Sequence, residues 1–146
     1  MEELHTSTAE ETRDIGSRIA RRLPPDAVVL LTGDLGAGKT VLAQGVAAGL
    51  GFDPSQVQSP SYTLIREHEA GGRRLVHVDL YRLDAGDLAT LGLEEVLAGE
   101  GLKVVEWAER VDFPVTGAWR IQISRPGPGE DRLIEIEQPN DNGEES

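Results

Sequence analysis

The apolar run AVVLLT at residues 27–32 is followed at once by GDLGAGKT at 33–40 and then by VLAQGVAAGL at 41–50. The first run, short and rich in valine and leucine, reads as a buried strand, and the last as a helix. The octet between them fits G-x-x-x-x-G-K-[ST] at Gly33, Gly38, Lys39 and Thr40. A loop that wraps a triphosphate needs its backbone N–H groups turned inward, and glycine at 33, 36 and 38 removes the Cβ atoms that would block the approach. Lys39 supplies a mobile positive charge to the outer phosphates, and the Thr40 hydroxyl is suited to Mg2+. The following helix presents its positive N-terminal end to the same anion. A strand, glycine loop and helix in this order confine the chain to an α/β fold with a nucleotide loop at a strand end.

At 146 residues the chain is long enough for one domain with a sizeable core. It has no cysteine, which excludes a disulfide framework or a thiolate zinc site and fits a reducing cytoplasm. No apolar stretch approaches the roughly 20 residues needed to span a bilayer, and MEELHTSTAEE is unlike a signal peptide. With 26 acidic and 14 basic residues the net charge is −12, which opposes strong independent binding to RNA or DNA. The domain is expected over residues 1–137, with 138–146 an acidic flexible tail.

The remaining elements follow from periodicity and punctuation. Residues 7–23 predict a helix capped by Ser7 or Thr8 with Glu10 or Glu11, carrying Ile15, Ile19 and Leu23 on one face and stopped by Pro24-Pro25. Residues 62–69 and 73–80 predict two strands turned at Gly71-Gly72. A short helix is expected around 93–97 and a strand at 102–107. AWRIQIS and RLIEIE alternate, the first placing Trp119, Ile121 and Ile123 on one of its faces and the second doing the same with Ile134 and Ile136, with PGPGED as the turn between. The fold class is a single-domain P-loop NTPase-like mixed sheet with flanking helices and phosphate chemistry at one edge.

A phosphate loop alone only binds. Hydrolysis or transfer also needs a carboxylate for the metal and a group that orients the nucleophile. LVHVDL delivers Asp79 and LKVVEW delivers Glu106 to strand carboxyl ends, where such groups belong. The ordinary alternative for each is an acid that caps a helix or pairs with arginine. Ser59, Ser61, Tyr62 and Thr63 form a hydroxyl cluster placed to reach Mg2+ or a γ-phosphate, although composition alone favours an ordinary strand entrance. His5, His68 and His77 have no metal-ligand spacing and read as structural or surface residues. Arg82 is placed for either a phosphate or a salt bridge.

GDLGAGKT, SPSYTL, HVDLYRL (77–83) and VVEW (104–107) resemble, in order and spacing, the motifs of the TsaE (YjeE) family, and the likeness runs from about Ser7 to Arg132. That resemblance implies a cytoplasmic ATPase supporting the threonylcarbamoyl modification of N6 of the adenosine beside the anticodon, in tRNAs reading ANN codons. It implies the TsaB–TsaD complex as partner, with tRNA met only through that complex. It further implies that Gly33, Asp34, Leu35, Gly36, Ala37, Gly38, Lys39 and Thr40 bind ATP. Thr40 and Glu106 would hold Mg2+, and Asp79 would serve hydrolysis by orienting water or as base, so that Lys39, Asp79 and Glu106 form the catalytic set. Ala9 to Thr12 would border the adenine, with Trp107 and Arg132 near the nucleotide. The family often has SPT where this chain reads Ser59-Pro60-Ser61, which keeps the hydroxyl.

Two rivals share the loop. A small-molecule kinase would need an acceptor pocket and a lid, and no insertion between the motifs is long enough to form one easily. A GTPase-type switch would need a guanine-reading Asn-Lys-x-Asp, which the sequence lacks.

Overall fold

The computed structural model describes residues 2–33, 38–53, 65–80 and 92–139. Seven strands form one mixed sheet: β1 (Glu2–Thr6), β2 (Val28–Thr32), β3 (Ile65–Ala70), β4 (Arg73–Asp79), β5 (Leu102–Glu106), β6 (Trp119–Ser124) and β7 (Arg132–Glu137). Their spatial order is β1-β7-β6-β2-β5-β4-β3. The four inner strands β6, β2, β5 and β4 run parallel to one another, while the pairs at the two flanks are antiparallel. β2 is thus the middle strand, and the loop after it opens at the centre of the carboxyl side of the sheet rather than at a lateral strand. Being covered on both faces, β2 reads as an almost continuous apolar run.

Helices α1 (Ala9–Ala20) and α2 (Lys39–Gly49) lie together on one face. With Val29, Leu31, Val104, Ile121, Ile123, Ile134 and Ile136 they enclose the larger core cluster. The short helix α3 (Leu93–Leu97) and the 3-10 turn Ala108–Arg110 cover Leu30, Val76, Val78 and Val105 on the other face. Among the described residues no helix is long and apolar enough to cross a membrane.

Thr8 caps α1 by accepting the Glu11 N–H, and the Glu11 carboxylate reaches back to the Ser7 N–H at 2.6 Å. The predicted helix over 7–23 is therefore real but shorter at both ends, because Thr8 is its cap and Arg21 its last half-turn. The hairpin at Gly71-Gly72 and the alternating pair β6 and β7 stand as read. β1 was not expected from the sequence. It adds to β7 in antiparallel register, Leu4 opposite Ile134, and its Thr6 hydroxyl meets the Thr12 hydroxyl of α1 at 2.7 Å. Of the expected tail, residues 140–146 lie outside the described residues.

Candidate nucleotide site

Gly33 and Gly38 bracket the expected phosphate loop, and both have positive φ, 147° and 108°. A Cβ at Gly33 would fall on the Ile123 carbonyl, so the strand can leave the sheet here only through glycine. Gly38 is the N-cap of α2 and, having no side chain, makes no side-chain cap bond. Asp34, Leu35, Gly36 and Ala37 lie outside the described residues, as do Ser59, Ser61, Tyr62, Thr63 and Arg82.

Lys39 opens α2 and is buried, with 5% of its surface exposed. Its Nζ donates to the Gly33 carbonyl and stands 3.9 Å from the centroid of the Trp107 ring. Trp107 follows β5 with φ 60° and ψ 42°, the one non-glycine residue with positive φ among the described residues. A bulky aromatic in this left-handed conformation costs on the order of 1–2 kcal/mol. That turn carries its indole under the ammonium, where a desolvated cation–π contact returns about 2 kcal/mol.

Thr40, one residue on, donates its hydroxyl to Glu106 Oε1 at 2.9 Å. Glu106 ends β5 beside Asp79 at the end of β4, and the two are register partners across the parallel ladder. Both carboxyl groups are buried, with 2% and 7% exposure. The second Glu106 oxygen, Oε2, lies 2.5 Å from His77 Nε2. His77 is 1% exposed, so it is no surface residue, and the sequence reading missed that it touches the site carboxylate. The signal was available in strand parity. His77 and Asp79 are two residues apart on β4 and share a face, which places His77 one pleat behind the pair that Asp79 makes with Glu106.

Ala9, Thr12, Gly38 and Arg132 come together, with Thr8, Val41 and Glu130, around a recess of about 60 Å³ beside the N-termini of α1 and α2. Thr12 is buried and its hydroxyl is engaged by Thr6. Arg132 is tied to the turn before it, donating to the carbonyls of Gly129 and Asp131. His68, on β3, shares the face of His77 and is held below the usual histidine range, first by burial and then by the charges of His77 and Arg66.

This fold defines a single-domain α/β protein built on a mixed seven-stranded sheet. The family model described as threonylcarbamoyl adenosine biosynthesis protein TsaE matches residues 6–134, and the chain belongs to the TsaE family. It is 42% identical over 100 residues to the tRNA threonylcarbamoyladenosine biosynthesis protein TsaE of Synechocystis sp., across 66% of this chain and 63% of that protein. The match thus spans slightly less than two thirds of that relative's length. The protein of the same name from Bacillus subtilis is 39% identical over 126 residues, across 86% of this chain and 78% of its own. Among solved structures, YdiB of Bacillus subtilis superposes with a TM-score of 0.77 at 32% identity, across 99% of this chain and 89% of that one.

Proposed function

We propose that this chain is a cytoplasmic, Mg2+-dependent ATPase that acts with the TsaB–TsaD complex to support threonylcarbamoylation of N6 of the adenosine beside the anticodon, in tRNAs reading ANN codons. The observation that carries the reading is the Thr40 hydroxyl on Glu106 Oε1 at 2.9 Å, one residue after the buried Lys39. A helix-borne hydroxyl and a strand-end carboxylate in contact are hard oxygen donors, the set that suits Mg2+. The residues present therefore fit the metal, and Thr40 and Glu106 would hold it. When bound, the ion would neutralise negative charge on the outer phosphate oxygens.

The chain's own groups supply the rest. Lys39, whose Nζ donates to the Gly33 carbonyl at the start of the loop, brings its ammonium to the outer phosphates as charge builds on them. The N-terminal end of α2 adds its partial positive charge to the same anion. Asp79, beside Glu106, orients the attacking water or takes its proton. The recess at Ala9, Thr12, Gly38 and Arg132 borders the base and sugar, with Trp107 on the phosphate side. The charge of −12 leaves the tRNA to the partner complex, so the ATP and ADP forms must differ in affinity for TsaB–TsaD for hydrolysis to be coupled.

The test is titration of labelled protein with purified TsaB–TsaD in each nucleotide, beside a filter assay with tRNA alone. ATP should tighten binding relative to ADP, and tRNA alone should be retained weakly. Equal affinity in both nucleotides, or tight salt-sensitive tRNA binding by the isolated chain, would refute the reading.

A further inference from the structure

We propose that His77 is a positioning residue that fixes the orientation of the Glu106 carboxylate, and so the affinity of the site for a divalent metal. The proposal rests on the reading of Thr40 and Glu106 as the metal-holding pair and adds a residue that reading does not contain.

Glu106 is held at both oxygens: Oε1 receives the Thr40 hydroxyl at 2.9 Å, and Oε2 faces His77 Nε2 at 2.5 Å. With Glu106 as a carboxylate, Nε2 is the donor. A glutamate side chain has three torsions that solvent would leave free, and freezing them beforehand leaves less entropy to lose when a metal is bound. Partners of this kind, which hold a ligating carboxylate without touching the metal, orient the ligand and raise affinity.

Three features separate this role from simple packing. His77 is 1% exposed and Glu106 2%, so water does not compete for the contact and the hydrogen bond keeps its full directional force. The imidazole is engaged through one nitrogen only, since Nδ1 has no hydrogen-bond partner among the described residues. A buried polar atom left so is tolerated where the other nitrogen is needed. Finally, the contact crosses from β4 to β5, whose register sets Asp79 opposite Glu106, so one imidazole locks the carboxylate to the strand that carries the other acid.

The two side-chain amides discriminate. Glutamine places its amide nitrogen near the position of Nε2, whereas asparagine reaches only as far as Nδ1. Binding of Mn2+ to the ADP-loaded protein, followed by the EPR signal of free Mn2+, should weaken about tenfold or more in His77→Asn. His77→Gln should recover most of that loss. ADP binding in EDTA, followed by tryptophan emission, should be the same in both variants and the parent. Parent-like Mn2+ affinity in His77→Asn would overturn the proposal. So would metal-free ADP binding that falls in step with Mn2+ binding, which marks a general loss of structure. If Glu106→Gln also binds Mn2+ as the parent does, the metal reading of Glu106 fails first, and this proposal with it.

Discussion

Replacing Gly45 by alanine sets two effects of opposite sign against each other. Gly45 lies inside α2, where alanine is favoured over glycine by about 1 kcal/mol. Against this, a Cβ at Gly45 would fall on the carbonyl of Arg13 in α1, a rigid helical backbone atom that no rotamer change can move aside. The helices must separate, and overpacking of this kind costs about 1–3 kcal/mol. Separation also breaks the bond from Ser17 Oγ to the Gly45 carbonyl, 3.1 Å long and worth about 1 kcal/mol. The propensity gain cancels roughly that last loss, leaving about 1–3 kcal/mol of destabilisation from the clash alone. At about 3 °C per kcal/mol for a chain of this size, the unfolding midpoint should fall by roughly 3–9 °C. Because α2 carries Lys39 and Thr40 at its first positions, ADP affinity should fall as well. The assay is thermal unfolding by circular dichroism without nucleotide, with a parallel ADP titration. A midpoint raised by the substitution would refute the close backbone approach of α1 and α2.

Lys39→Met should shift tryptophan emission in the absence of nucleotide, because the ammonium leaves the Trp107 ring; in a Trp107→Phe background, where Trp119 is the only indole, the same substitution should change nothing. Thr40→Ala should raise the Mg2+ concentration needed for half-maximal turnover, and parent-like Mg2+ dependence would remove Thr40 from the metal site. Stability should depend on pH through His68: its folded-state value lies below the unfolded one, so the unfolded chain binds more protons as pH falls through about 6.5. His68 therefore adds no penalty above that pH and a growing one below it, and lowering pH from about 7.5 to about 5.5 should cost the parent more in melting temperature than His68→Gln. An identical decline in both would show that His68 is not the group responsible.

Most of the fold was legible because its signals are local. β2 and α2 are written as an apolar run, a glycine loop and an Ala-rich stretch, and the hairpin as Gly71-Gly72 between alternating strands. Asp79 and Glu106 could be placed at strand ends, and the parallel register then set them side by side. β1 was not legible, since Leu4 is the only aliphatic side chain in Glu2–Thr6 and the strand exists only by pairing with β7, far along the chain. Its charges suit an exposed edge strand, where Glu2 pairs with Arg22 of the α1 end. Of the two readings of His77, structural or surface, its burial leaves the structural one, and its contact with Glu106 was hidden for a related reason. Strand parity puts His77 on the face of Asp79, but its partner lies 29 residues away on β5, and only the sheet register brings the two together. The cation–π contact of Lys39 with Trp107 was hidden too, because it depends on the left-handed backbone that Trp107 adopts without the usual glycine.

The most direct test of the proposed activity is release of inorganic phosphate from ATP by the purified chain, alone and with TsaB–TsaD, in Mg2+ and in EDTA, beside Lys39→Ala. The expected result is slow Mg2+-dependent release by the chain alone, altered turnover when the complex is added, and a loss of about a hundredfold or more in Lys39→Ala. Phosphate release by Lys39→Ala at the parent's rate would contradict it, as would a parent that releases none even with the complex present.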